Sequence, residues 1–328
     1  MHTNRAKHKP ELEKPFWQVA VTQYQKPQIL RSVWQIANSV IPYLILCYLM
    51  YRSLEISYWI TLGLAVLAAG LLVRIFIIFH DCGHGSFLKS RKANDVLGFI
   101  TGVLTFTPYY QWRHDHAVHH ATSGDLERRG VGDIWTLTVQ EYKKSSRLKR
   151  LAYHFYRNPL VMFGVGALYL FLIRNRFPSR SAGRRERRSV HWTNLALLLT
   201  AGLLSITIGL TNLALVQLPI IAIGLSAGVW LFYVQHQFEG AYWEQHENWD
   251  YVSAALQGSS FYKLPRILQW FTGNIGFHHI HHLSPRIPNY HLERCHKEQT
   301  MFQEIEPITV LRSLRSLTLR LWDDEGKR

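Results

Sequence analysis

Apolar and polar positions along this chain fall into blocks. Residues 33–51 (VWQIANSVIPYLILCYLMY) carry no charge, and residues 57–79 (SYWITLGLAVLAAGLLVRIFIIF) carry one, Arg74. Residues 192–210 and 213–234 carry none. Each block holds roughly 20 residues, enough for a helix to cross ~30 Å of hydrocarbon. Buried helices of a water-soluble protein rarely run that long without a charge, so the four blocks predict four membrane-spanning helices. The first two join through the short loop 52–56, and the last two turn at Thr211–Asn212, which gives two hairpins.

Two shorter apolar stretches read differently. Residues 96–110 contain glycine and stop at Pro108, which predicts an interfacial or re-entrant segment. Residues 159–173 run into an arginine-rich stretch at 174–188. If 159–173 crossed the membrane, those arginines would lie outside, against the positive-inside tendency, so this stretch is also read as interfacial or re-entrant. The expected fold is an all-α integral membrane protein with four transmembrane helices in two hairpins. Re-entrant or interfacial helices and a cytosolic helical cap complete it. Along the chain this means an interfacial N-terminal segment 1–30, a membrane domain 31–310 and a C-terminal tail 311–328. Both termini and the whole of 236–328 then face the cytoplasm. Residues 1–30 lack the compact apolar core of a secretory signal peptide.

The polar blocks carry the chemistry. HDCGH occupies 80–84, HAVHH 116–120 and HHIHH 278–282. On a helix, positions i, i+3 and i+4 share one face. That rule selects His80, His84, His116, His119, His120, His278, His281 and His282, and leaves His114 and His279 on other faces. Eight imidazoles are too many for one ion and suit two, and the cap is expected to hold such a dimetal site. His236, just past the last span, is a ninth candidate. Asp81, Asp115 and Asp125 are placed to orient imidazoles or offset metal charge. Asn274, four residues before His278, is placed to reach the same site through water. Imidazole nitrogen suits iron, copper, zinc and nickel. Zinc sites usually take three or four ligands and have no redox activity. Two irons beside a membrane core suggest oxygen activation, and zinc would bind such a site as an artefact in purified protein.

A net charge of +15 first suggests a nucleic-acid partner. In a membrane protein the positive-inside rule and anionic lipid account for it better, so no nucleic acid is expected. Cys47, Cys82 and Cys295 have no CxxC spacing and argue for neither a disulfide framework nor a zinc ribbon.

The three boxes and their surroundings resemble the membrane fatty acid desaturases. HDCGHGSF (80–87), WRHDHAVHHATSGDLERRGVGDIWTLTVQEY (112–142), YRNP (156–159), QHQFEGAYW (235–243) and GFHHIHHLSPRIPNYHLERCH (276–296) look most like the omega-6, Δ12-type acyl-lipid enzymes. The resemblance implies a diiron centre on the eight box histidines. It also implies dioxygen, two electrons from a carrier, and a cis double bond placed in a fatty acyl chain of membrane lipid, oleoyl becoming linoleoyl. His236 matches the family's additional histidine approximately. No HPGG haem motif occurs, which favours a separate, ferredoxin-like donor over cytochrome b5. Phe106, Tyr109, Trp112 and Trp230 adjoin the boxes and are candidates for lining an acyl tunnel. Arg113, Lys263 and Arg266 are candidates for holding a lipid headgroup or an acidic carrier. An acyl hydroxylase on the same scaffold is the first alternative. A histidine-rich metal transporter is the second, but transporters place polar ligands inside the spans, and here the histidines lie at the ends.

Overall fold

The computed structural model describes residues 15–327, so part of the expected N-terminal segment 1–30 lies outside the described residues. α1 (Phe16–Thr22) leads into α2 (Ile29–Ser53) and α3 (Tyr58–His84), which pack as a hairpin. α3 carries the first histidine box on its last turn and stops at Gly85. α4 (Arg91–Leu104) returns along α3, and α5 (Tyr109–Thr122) carries the second box. The stretch 96–110 is therefore not one element: Phe106, at φ 57°, and Pro108 break it in two.

The polar region that follows holds β1 (Leu137–Thr138), α6 (Val139–Lys144) and α7 (Arg147–Tyr156). α7 leaves Leu148, Leu151 and Phe155 exposed, at the i, i+3 and i+7 spacing of a surface-lying amphipathic helix. The chain then bends by 69° into residues 160–176. There α8 (Gly166–Leu168) sits between the π-helical turns Leu160–Val165 and Tyr169–Ile173. α9 (Arg184–Ile208) and α10 (Leu210–His236) form the second hairpin. Their break is at Gly209, two residues before the Thr211–Asn212 turn expected from sequence. Its φ of 85° is one that only glycine adopts without strain.

Among the described residues, α2, α3, α9 and α10 are the four single helices long and apolar enough to span a membrane, as the hydrophobic blocks predict. After α10 come α11 (Tyr251–Gln257), β2 (Phe261–Lys263), α12 (Arg266–Phe271) and α13 (His278–Leu283), the last carrying the third box. α14 (Asn289–Glu298), α15 (Thr300–Gln303), β3 (Pro307–Thr309), α16 (Val310–Ser313) and β4 (Leu321–Trp322) complete the cap.

The cap is not purely helical. β1 pairs with β4 and β2 with β3, both in parallel. Strands of two or three residues show no alternation that a sequence pattern could register. They tie the tail 311–327 into the cap. The N-terminal segment is tied in as well: Val21 and Tyr24 are buried with Ile280, Leu283, Leu292 and Phe302 around the third box.

One part of the cap reaches down beside the spans. Phe271 packs against Gly70, and the Arg74 guanidinium lies 4.1 Å over the Trp270 ring. Arg74 Nε also donates to Ser39 Oγ at 3.1 Å. The lone charge in the second apolar block is thus held by a hydroxyl and an aromatic face, and it draws α12 alongside α3.

α3, α4 and α5 are locked through Tyr109, whose hydroxyl donates to Cys82 O at 2.7 Å. Its ring fills the space a side chain at Gly98 would need: a Cβ there would lie 2.2 Å from Tyr109 Cε2. Gly98→Ala should therefore destabilise the protein by about 1–3 kcal/mol through overpacking. A thermal melt in detergent checks this, and a variant with the Tm of the native chain would contradict the packing.

Candidate metal centre

Three helix ends and one span deliver nine imidazoles to one buried region. His80 and His84 come from α3, His116, His119 and His120 from α5, His236 from α10, and His278, His281 and His282 from α13. They form two groups. His80, His84, His116, His120 and His281 offer nitrogens within 4.8 Å of one another, and so do His119, His236 and His282. His278 joins the second group, its Nε2 being 3.0 Å from that of His236.

Helical geometry explains the division. The i, i+4 pairs His80/His84 and His116/His120 serve the first group, and the pair His278/His282 serves the second. The remaining histidine of each three-histidine box, His119 or His281, is rotated away from its pair and reaches the other group. Each of these two boxes therefore bridges both groups.

The distances fit metal ions. Nε2 of His116 is 3.1 Å from Nε2 of both His80 and His120, and His281 Nε2 is 3.1 Å from that of His120. In the second group His119 Nε2 is 3.1 Å from His236 Nε2. A ring nitrogen has one lone pair or one hydrogen, and it cannot serve two such neighbours well. A cation at the centre serves them all. Imidazole–metal bonds of about 2.1 Å at right angles place neighbouring nitrogens ~3.0 Å apart. Nε2 of His84 and of His282 is buried without a hydrogen-bond partner, as a free ligand atom would be.

Two carboxylates hold the outer ring nitrogens. Asp81 Oδ1 is 3.1 Å from His80 Nδ1, and its Oδ2 accepts from Asn289 N and Nδ2 at 2.7 and 2.8 Å. Asp133 Oδ1 is 2.5 Å from His119 Nδ1, and its Oδ2 accepts from Gly130 N at 2.9 Å. A carboxylate on Nδ1–H fixes the tautomer that turns Nε2 inward.

The other residues singled out from sequence sit as follows. Asp125 is fully buried, but its carboxylate is taken by Arg128 Nε at 2.5 Å and His246 Nδ1 at 2.8 Å. Asn274 bonds to Asn289 O and accepts from Gln269, and Asp115 is partly buried on α5. None of the three shares a hydrogen bond with a clustered histidine among the described residues. His114 is exposed, whereas His279 is fully buried against Phe261, His296 and Phe302.

Of the tunnel candidates, Trp112 stacks on His116 with centroids 4.3 Å apart, and Tyr109 is buried. Phe106 packs beside α10, and Trp230 packs on Phe163 and Tyr233. A small cavity opens beside His119 and His236, lined also by Phe232, Asp133, Gln237 and Trp243. Arg113 is paired with Asp95 at 3.0 Å, while Lys263 and Arg266 are exposed.

The histidine spacing does not mark Asp133, Phe232 or Trp243. Asp133 is fourteen residues from His119 in a loop, and no helical spacing links them.

Four apolar helices around two buried imidazole groups define a membrane protein able to hold two metal ions. The model of the family "Fatty acid desaturase" matches residues 57–307. A Bacillus subtilis protein named "Fatty acid desaturase" is 53% identical over 308 residues, which cover 94% of this chain and 88% of that one. The Synechocystis sn-1 oleoyl-lipid 12-desaturase is 29% identical over 77% of this chain and 70% of its own length. An Arabidopsis thaliana chloroplast protein, sn-2 acyl-lipid omega-3 desaturase (ferredoxin), is 30% identical over 71% of this chain, which spans 54% of it. The chain belongs to the fatty acid desaturase family and is an enzyme of that class.

Burial, reinforced by neighbouring imidazoles, holds His116, His120, His278, His281 and His282 neutral far below the ordinary histidine range. In an unfolded chain the same rings take up protons as the pH falls through about 6.5. The folded state thus binds fewer protons there, and its stability must fall as the pH drops below that value. Metal-stripped protein should show a Tm that declines steadily from about pH 7 to about pH 5.5. A flat profile would contradict the shared burial of these rings.

Proposed function

We propose that this enzyme desaturates a fatty acyl chain held in membrane glycerolipid, converting oleoyl to linoleoyl. It would use iron at both imidazole groups, dioxygen, and two electrons from a separate ferredoxin-like carrier. The observation that carries the reading is the pair of all-imidazole groups at the ends of apolar membrane helices. Iron in such a set, when bound, supplies the redox chemistry of dioxygen that breaks an unactivated C–H bond. Two hydrogens leave adjacent methylenes, dioxygen takes up the donor's two electrons and two protons, and two waters form.

The chain's own residues prepare that chemistry. Asp81 and Asp133 hold His80 and His119 in register from behind. Trp112 lies flat on His116, and Phe232 packs against both His119 and His236. These aromatic walls exclude water and offer an apolar surface to a methylene chain.

The flanking words of the boxes and the name of the Synechocystis relative support the 12-position. The ferredoxin in the Arabidopsis relative's name supports a separate donor. A basic cytosolic face would steer an acidic carrier toward the enzyme, and that steering weakens with salt. A second reading, desaturation nearer the methyl end, draws on the omega-3 relative, whose identity of 30% is close to the 29% of the 12-desaturase.

The enzyme should be expressed in a host without polyunsaturated lipids and given labelled oleate. Locating double bonds by mass spectrometry should reveal linoleoyl glycerolipid. A new bond elsewhere rejects the 12-position alone, and a hydroxylated product rejects desaturation.

The orientation proposed puts both termini and the metal centre on the cytoplasmic side, by the basic run that leads into and opens α9. Cysteines placed at Arg184 or Arg187 should react with an impermeant reagent from the cytoplasmic side only, and labelling from outside alone would invert the topology.

A further inference from the structure

Arg157 is 2% exposed, among the most deeply buried large side chains in the molecule. Neutral groups hold its guanidinium. Nη2 donates to Leu319 O at 2.6 Å, to Tyr233 Oη at 3.1 Å and to Gln237 Oε1 at 3.2 Å. Nη1 lies 3.5 Å from Trp135 O. The Tyr233 hydroxyl in turn donates to Ser316 O at 2.7 Å, and Gln237 Oε1 also accepts from Thr136 Oγ1 at 3.3 Å.

These partners converge on one of the two imidazole groups. Gln237 directly follows His236, and Tyr233 precedes it on the same helix. Trp135 lies two residues beyond Asp133, the carboxylate on His119 Nδ1. Leu319 and Ser316 belong to the C-terminal segment, which β4 fastens to β1 just after Trp135. Tyr153, one turn before Arg157, adds a hydroxyl that donates to Arg320 O and accepts from Leu137 N. The first group is braced elsewhere, by Asp81 and Asn289. Among the described residues, Arg157 makes no hydrogen bond to any element carrying a first-group histidine.

We propose that Arg157 is a positioning residue for the second imidazole group, and that residues 316–322 are, through it, a structural part of the dimetal centre. The proposal rests on reading the two groups as two metal sites. The guanidinium suits the task chemically. Its rigid fork reaches several oxygens at once, which a lysine ammonium on a flexible stem does not. By fixing Gln237 and the backbone at Trp135 it sets His236 and the Asp133–His119 pair against each other.

The test uses the full-length protein, purified with iron and dialysed against graded chelator. Metal per chain is measured by elemental analysis, and Tm is recorded beside it. The native chain should hold two ions. Arg157→Gln should release one of them at about tenfold lower chelator, the scale for loss of a group that orients a ligand, while keeping the other at the native concentration. Arg157→Lys should not restore the lost ion. Tyr233→Phe, a smaller change for use if Arg157→Gln does not fold, should weaken the same ion and spare the other. Loss of both ions together, with a matching fall in Tm, would make Arg157 a general fold residue and overturn the proposal. Retention of both at native chelator concentrations would overturn it too. A native chain that binds a single ion would instead overturn the two-site reading, and the proposal with it.

Discussion

Everything in this structure answers to the crowding of imidazole nitrogens. Seven Nε2 atoms sit 3.0–3.1 Å from at least one other imidazole Nε2, closer than neutral rings settle without a cation or shared protons between them. Holding them there requires rigid elements and buried anchors. α3 and α10 supply the rigidity, since each runs unbroken from the membrane into the site. Asp81, Asp133 and Tyr109 supply anchors from behind the rings. Metal bound at such a site adds directly to folding free energy, so its occupants stabilise the closed arrangement.

The cap is built to keep those anchors dry. The segment 261–263 pairs with 307–309, and 137–138 pairs with 321–322, so sequence-distant parts close over the boxes. The N-terminal Val21 and Tyr24 pack under the third box from another direction. Two buried arginines serve this closure with neutral partners in place of carboxylates. Arg74 is met by Ser39 and the Trp270 ring, and Arg157 by carbonyls and hydroxyls. Such groups carry a desolvation penalty that several hydrogen bonds or ring contacts must offset. This explains why each draws several chain segments to itself.

The membrane helices were legible in the sequence because hydrocarbon imposes a length and a composition that no other environment does. The box histidines were legible because helical spacing is local: His80 to His84 is one turn. What escaped was non-local. The short ladders carry no period, Asp133 meets His119 across a loop, and Gly209 ended a helix where the apolar run continued. The spacing rule also treated each box as one face. It missed that an i+3 offset is rotated far enough for His119 and His281 to reach across to the other group. Asp125 shows the opposite failure. A buried carboxylate close to a box in sequence looked like part of the centre, but Arg128 and His246 claim it.

The unequal make-up of the two groups bears on how the site meets small reactants. Five imidazoles gather in the first group and four in the second, counting His278 through its contact with His236. The cavity lies on the second group's side, against His119 and His236, with Asp133 and Phe232 in its wall. The group beside the cavity is thus the one whose positions depend on a loop carboxylate and on α10. The more crowded group is locked between α3 and α5 by i, i+4 pairs. A scaffold divided in this way keeps one half rigid by local helix geometry. It leaves the half beside the cavity to be set by long-range contacts from the rest of the cap.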